Sequence, residues 1–260
     1  MGTSRPSVDF DLTDKVAVVT GGSRGLGQAM CVAFAEHGAT VVVASRKADA
    51  CEKLAASITE RTGRPALGVG CHVGQWADCD ALVDTVYERY GHVDVLVNNA
   101  GMSPLYGSLV EVTEELFDKV IAVNYRGAFR LSALIGTRMA EGDGGSIINV
   151  SSIAAVQPSP GEIPYAGAKA ALNNMTIGLA RSFGPTVRVN MIMPGAFMTD
   201  ITKAWDLEAF AESAKTRIPL QRGGQPGEVV GAALYLASDA SSYTNGAIIK
   251  IDGGYAYSPG

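Results

Sequence analysis

Charge is scarce in this 260-residue sequence: Asp, Glu, Lys and Arg make up 18% of it, against roughly a quarter in an average soluble protein. With 26 acidic and 21 basic residues the net charge is −5. No run of Lys or Arg can track a phosphate backbone, which argues against nucleic acid as a partner. Long apolar runs are missing too. Residues 16–19 and 41–44 fall far short of the ~18 needed to span a bilayer, so no membrane role is expected. The first fifteen residues carry Asp9, Asp11 and Asp14 where a secretory signal needs an apolar core, and Pro6 stands where a myristoylation signal needs Ser or Thr. The chain therefore reads as cytoplasmic. The four cysteines, Cys31, Cys51, Cys71 and Cys79, form no C-x-x-C pair, and the three histidines, His37, His72 and His92, lack metal-site spacing. Neither a structural metal nor a disulfide framework is expected, and the thiols read as reduced and packed.

Apolar residues are abundant at 47%, and there are 31 glycines, enough of both to exclude disorder and to suggest tight turns and close backbone approaches. From Lys15 onward short β-branched runs alternate with segments of helical period, the pattern of βαβ units. Strands are expected at 16–20, 41–44, 66–71, 93–97, 147–150, 187–192 and 247–251. Leu26, Ala29, Met30, Ala33 and Phe34 make a helical stripe that stops at Gly38, and Leu82, Val83, Val86, Tyr87 and Tyr90 make another. Further helices are expected at 113–139 with a bend, 165–183 and 226–237. The expected fold is thus α/β, a doubly wound Rossmann-type domain over residues 1–260, with a seven-stranded parallel sheet and helices on both faces. Residues 195–219 lack a strand yet carry Phe197, Met198, Trp205 and Phe210, the pattern of a helical lid.

Between the first strand and first helix lies Thr20-Gly21-Gly22-Ser23-Arg24-Gly25-Leu26-Gly27. Glycines there let the backbone turn and approach a pyrophosphate, whose charge is met by the free N–H groups and positive dipole end of the helix. The window 21–25 also matches G-x-S-x-G, the nucleophile elbow of α/β-hydrolases. That rival fails on order: several strands precede such an elbow, only one precedes Ser23, and no His follows His92. At the end of the second strand a dinucleotide fold that takes NAD places a carboxylate on the ribose. Here the residues are Ala44-Ser45-Arg46-Lys47, which with Arg24 suit the 2′-phosphate of NADP.

Tyr165 and Lys169 are spaced i, i+4 near the start of an expected helix, so they share a face. A lysine cation beside a phenol stabilises phenolate and brings a pKa of ~10 within reach of proton transfer near neutrality. Alone, the spacing has little value: nine tyrosines and eight lysines in 260 residues give roughly 0.3 chance matches. Its context is Ser151-Ser152, thirteen residues upstream at the C-terminal end of a strand, where open α/β sheets bind ligands.

Taken together, these motifs resemble those of the short-chain dehydrogenase/reductase family over nearly the whole chain. The resemblance rests on Thr20-Gly21-x-x-x-Gly25-x-Gly27, Asn98-Asn99-Ala100-Gly101, Asn124, Ser152, Tyr165-x-x-x-Lys169, Pro194-Gly195 with Thr199, and Asp252-Gly253-Gly254. It implies a carbonyl/alcohol oxidoreductase using NADP, with NAD as the alternative, acting on a small molecule and assembling as a homotetramer. Within the family the chain is similar to 3-oxoacyl-thioester reductases and to sugar-acid or polyol dehydrogenases. A non-catalytic NADP-binding sensor is the alternative from another class. Tyr165 would exchange the proton, Ser152 would hydrogen-bond the substrate oxygen, Lys169 would lower the Tyr165 pKa and hold the nicotinamide ribose, and Asn124 would position a water. The cofactor would lie along Gly21, Ser23, Arg24, Gly25, Leu26, Gly27, Ser45, Arg46, Asn99, Ala100 and Gly101, with Pro194, Gly195 and Thr199 at its nicotinamide end. One departure stands out. Where the family has Asp-Val at the adenine, this sequence has His72-Val73, and a neutral His is expected to accept a hydrogen bond there. The resemblance implies no metal. Pro158, Pro160 and Pro164 should stiffen one wall of the substrate pocket.

Overall fold

The computed structural model describes residues 10–199 and 206–256. Seven strands, β1 (Val16–Thr20), β2 (Thr40–Ser45), β3 (Ala66–Gly70), β4 (Val95–Asn98), β5 (Gly145–Val150), β6 (Val187–Pro194) and β7 (Ile248–Ile251), form one parallel sheet in the order β3-β2-β1-β4-β5-β6-β7. All five residues of β1 are buried, because the sheet is covered on both sides. Ala17, Val19, Val41, Val43, Val95 and Val97 face one layer, and Val16, Val18, Val42 and Leu96 face the other. This is the period-2 alternation of a strand, with both phases apolar.

The first layer holds α1 (Gly25–Glu36), α2 (Ala48–Thr62) and α8 (Val230–Ala237), which bring Met30, Phe34, Ile58 and Leu234 to it; the second holds α3 (Trp76–Tyr90) and α5 (Gly127–Glu141), with Leu82, Val86, Leu131 and Ile135. The remaining helices are α4 (Glu114–Ile121), α6 (Ile163–Phe183) and α7 (Leu207–Arg217). Chain order reverses between β1 and β4, and the crevice outside their C-terminal ends is where such sheets bind ligands.

All seven expected strands are present, with shifted ends. β4 begins at Val95, two residues later than expected, and the preceding Asp94 uses its carboxylate to accept the Val16 N–H at 2.8 Å. β6 runs on to Pro194, paired with Ile251. The expected bend within 113–139 is a π turn, Ala122–Arg126, joining α4 to α5. The helix expected at 226–237 opens as a 3-10 turn, Pro226–Val229, before α8. Among residues 195–219, α7 supplies the expected helix; Trp205 lies outside the described residues.

All four cysteines are free and buried. Among the described residues no cluster of His, Cys, Asp or Glu could hold a metal ion, and no helix is long and apolar enough to cross a membrane.

Candidate active site

The turn from β1 into α1 is shaped by contacts that admit only glycine. Gly21 and Gly25 have φ of 63° and 56°, the left-handed region that side chains rarely adopt. A Cβ on Gly27 would lie 2.3 Å from the Gly21 carbonyl oxygen and 2.5 Å from Asn99 Nδ2. A Cβ on Gly25 would meet nothing nearer than Thr199, at 3.5 Å. The loop therefore has a closed side braced by the protein and a side open toward Thr199, at the N-terminus of α1, where an anion is favoured.

The brace is a short network around Thr20. Its hydroxyl donates to the Val97 carbonyl and accepts the N–H groups of Asn99 and Ala100 at 3.0 and 3.1 Å, while Asn99 Nδ2 donates to the carbonyls of Thr20 and Gly21. Asn99 and Ala100 thus lock the exit of β4 against the glycine turn. Thr20 is the centre of this lock, and sequence reasoning gave it no site role. Leu26 is partly buried against the core layer above.

At the end of β2, Ser45 Oγ lies 2.9 Å from Ser23 Oγ. Ser23 thus pairs with another hydroxyl, not with a base, which removes the physical basis of the hydrolase reading. Arg24, Arg46 and Lys47 are exposed around this point.

His72 behaves differently from expectation. Its Nδ1 accepts the Gly74 N–H at 3.1 Å, and its backbone N–H donates to the Asp78 carboxylate at 2.9 Å. In a neutral imidazole one nitrogen accepts and the other carries the hydrogen. With Nδ1 accepting, Nε2 is an N–H, so the ring offers a donor, not an acceptor, beyond the turn. Val73 packs where α5 begins: a Cβ on Gly127 would lie 2.2 Å from the Val73 carbonyl oxygen.

On the other side of the switch point, Ser151 and Ser152 diverge. Ser151 is buried and donates to Asn173 Oδ1 at 2.5 Å. Ser152 instead caps the short turn that follows by accepting the Ala154 N–H, and its hydroxyl acts on the Tyr165 phenol, drawing its pKa down against burial. Lys169 is 3% exposed, and its Nζ donates to the Val150 carbonyl at 2.7 Å. That is the one hydrogen bond this ammonium makes among the described residues. A buried cation with three donors, no carboxylate partner and one acceptor is a group awaiting a ligand. The buried ammonium with donors to spare and the open side of the glycine turn fit a nicotinamide dinucleotide, which Lys169 and the N-terminus of α1 would help to hold.

Burial depresses Lys169 to about 8. Tyr165 is pushed up to about 12, burial outweighing the opposing Ser152 hydrogen bond, with Glu162 adding to the rise. The expectation that Lys169 lowers this phenol is not met in the structure: the ammonium stands 5.8 Å from the Tyr165 ring centre, and desolvation dominates at that range.

Asn124 spends its side chain on the backbone. Nδ2 donates to the carbonyls of Met102 and Val120 at 2.8 and 2.9 Å, and Oδ1 accepts the Met102 N–H at 3.0 Å. With both amide hydrogens engaged, this side chain anchors the loop after β4 to the π turn. Gly101 lies between Asn124 and Lys169, its Cβ position 3.0 Å from Asn124 Oδ1 and 3.6 Å from Lys169 Nζ. Pro194 ends β6, and Gly195 is required by close packing: a Cβ there would sit 2.7 Å from Asp252 Cβ. The fold thus gathers Gly101, Asn124, Ser152, Tyr165 and Lys169 at one end of the crevice, and Ser23, Ser45 and His72 follow the strand order toward the other edge.

The structure thus sets a phenol, a serine hydroxyl and a buried ammonium on the same side of the sheet as the glycine turn. Comparison with known proteins agrees. The family profile for enoyl-(acyl carrier protein) reductase matches residues 21–256. Dehydrogenase/reductase SDR family member 4 of Bos taurus is 38% identical over 94% of this chain and 88% of its own. The 3-oxoacyl-(acyl-carrier-protein) reductase of Thermotoga maritima is 39% identical over 94% and 98%. Among solved structures, L-sorbose reductase from Gluconobacter frateurii, complexed with NADPH and L-sorbose, superposes with a TM-score of 0.90 at 32% identity, covering 96% of this chain and 99% of that one. The chain belongs to the short-chain dehydrogenase/reductase family and is an NAD(P)-dependent oxidoreductase acting on carbonyl and alcohol groups.

Proposed function

We propose that the chain reduces a neutral ketone to a secondary alcohol with NADPH, Tyr165 supplying the proton. The observation that carries this reading is the Tyr165 phenol standing beside a buried Lys169 whose ammonium has a single protein acceptor among the described residues. The bound nicotinamide supplies the hydride. Ser152 and Tyr165 both direct hydroxyl groups at the substrate oxygen, and as negative charge develops there the phenol hands over its proton. Lys169, whose ammonium has donors beyond the Val150 carbonyl, would hold the ribose. The Ser23–Ser45 pair and the cations Arg24, Arg46 and Lys47, which make no ion pair among the described residues, support NADP as the cofactor. A similar structure points the same way: an NADPH-dependent 3-quinuclidinone reductase from Rhodotorula rubra superposes with a TM-score of 0.91 at 30% identity. A neutral substrate is favoured because Pro104, Tyr106, Leu116, Val120 and Pro164 gather around Tyr165, with Glu162 the one charged residue of that group.

The test is a panel of ketones with NADPH and NADH, followed by absorbance of the reduced nicotinamide. Consumption of NADPH with several neutral ketones is expected. Cofactor binding without turnover on any member would instead favour a sensor. The pH dependence has a definite sign. With Tyr165 up at about 12 and Lys169 down at about 8, the phenol is protonated at neutrality, and the ammonium loses its charge above about 8. Reduction should stay level below that pH and fall beyond it, whereas alcohol oxidation, which needs the phenol to give up its proton, should rise with pH. Parallel pH–rate curves in the two directions would contradict this.

Residues 195–219 are proposed to act as a lid over the nicotinamide end, in one domain with the rest of the chain. Its roots are pinned: Met198 donates to the Gly224 carbonyl, Gly224 to that of Ala196, and Leu220 to that of Gly253. The roots are fixed points on which a helix such as α7 can swing. Amide exchange across α7 should slow when NADPH and a substrate analogue are bound. Exchange that is already slow and unchanged by ligand would overturn the lid.

A further inference from the structure

We propose that Cys51, a buried thiol outside the catalytic reading, is a positioning residue that raises selectivity for NADP by orienting the Ser45 hydroxyl; this rests on the NADP reading above. Cys51 is fully buried on α2, and its Sγ lies 3.0 Å from Ser45 Oγ. Ser45 Oγ in turn lies 2.9 Å from Ser23 Oγ. The three groups form a row from the core to the rim where the second strand meets the glycine loop, the position at which dinucleotide folds read the 2′-substituent of the ribose.

The row exists because α2 is seated directly on β3. A Cβ on Gly68 would lie 2.5 Å from the Cys51 carbonyl carbon and 2.3 Å from the Glu52 nitrogen. Only glycine at that strand position lets the helix approach so closely, and the approach delivers the thiol to Ser45. In its bland role a buried cysteine simply fills space, and such a residue needs no polar neighbour. This one has the Ser45 hydroxyl at hydrogen-bond distance, much nearer than the Ser45 carbonyl oxygen at 3.9 Å.

The direction of the hydrogens gives the row its selectivity. A thiol has one weak hydrogen to donate. When the Cys51 S–H points at Ser45 Oγ, the Ser45 hydroxyl can donate to Ser23 Oγ, 2.9 Å away, and the Ser23 hydrogen then points outward. A phosphate offers only acceptors and gains from hydrogens all aimed at the rim. A ribose 2′-hydroxyl both donates and accepts, so it pairs with Ser45 in either orientation and gains little. Removing the thiol hydrogen therefore weakens NADP binding and leaves NAD binding nearly untouched.

The test measures Kd for NADP+ and NAD+ by titration calorimetry in wild type, Cys51→Ala, Ser45→Ala and the double variant. Cys51→Val, which keeps side-chain volume without a donor, guards against a cavity effect. Both Cys51 variants should raise the NADP+ Kd about 3- to 10-fold and keep the NAD+ Kd within about twofold. In the Ser45→Ala background, Cys51→Ala should change neither ligand, because the thiol acts through that hydroxyl. Equal weakening of both ligands, an unchanged NADP+ Kd, or the same loss without Ser45 would overturn the role of Cys51 while leaving the cofactor reading intact. A wild-type protein that binds NAD+ at least as tightly as NADP+ would overturn the cofactor reading and this inference with it.

Discussion

Tyr165→Phe is expected to lower kcat by at least about 10²-fold while NADP(H) still binds within about twofold of wild type. The ring keeps its place beside Lys169 and in the cavity with Pro104 and Leu116. What is lost is the hydroxyl, whose pKa Ser152 draws down against burial. A proton must reach the substrate oxygen as the hydride arrives, and no other described acid stands at Ser152. The substitution removes a step of the chemistry and leaves packing intact, so the loss should fall on kcat and not on cofactor affinity. Steady-state kinetics alongside cofactor titration separates the two. A variant retaining more than a tenth of wild-type kcat on a good substrate would show that Tyr165 is not the proton donor.

The wild-type protein should prefer NADP(H) by roughly 30- to 150-fold in kcat/KM, and Ser45→Asp with Arg46→Ala should invert that preference. At the end of β2 no carboxylate repels a 2′-phosphate, and Arg46 and Arg24 offer planar forks that suit it. These cations are exposed, so solvent and salt screen them, which limits the expected ratio and makes it shrink as ionic strength rises. A new carboxylate at position 45 would accept the ribose hydroxyls of NAD and repel the phosphate of NADP. Because both ends of the discrimination move, the combined swing should exceed 10³-fold. kcat/KM for both cofactors at low and high salt checks it. Wild-type efficiency with NADH equal to that with NADPH at low salt would leave Arg46 as a solvated arginine at a helix start.

The sheet was legible in the sequence because both phases of each strand are apolar: Val16 to Val19 and Val41 to Val43 leave no other place to put so many β-branched side chains. Tyr165, Lys169 and the glycine turn were legible because their chemistry depends on local spacing. What escaped depends on contacts between distant segments. Nothing near Asn124 in sequence announces that Met102, twenty-two residues away, will take its amide. The donor state of His72 follows from a bond to Gly74 that only the turn geometry creates. Ser152 was named from the resemblance, but that its neighbour Ser151 is taken up by Asn173 of α6 could not be read from the sequence. Cys51 looked like any packed thiol until Gly68 brought α2 down onto the sheet. The Tyr165 pKa was misjudged for a related reason: the i, i+4 spacing shows that Lys169 is near, but not that burial outweighs it.

The most direct test of the account is hydride transfer itself. NADPH carrying deuterium at the transferring position of nicotinamide C4 should be turned over with a neutral ketone, and the alcohol analysed by mass spectrometry and NMR. One deuterium on the carbinol carbon, with the hydroxyl hydrogen coming from solvent, is the predicted result. Alcohol lacking the label, or consumption of labelled NADPH without alcohol formation, would contradict it.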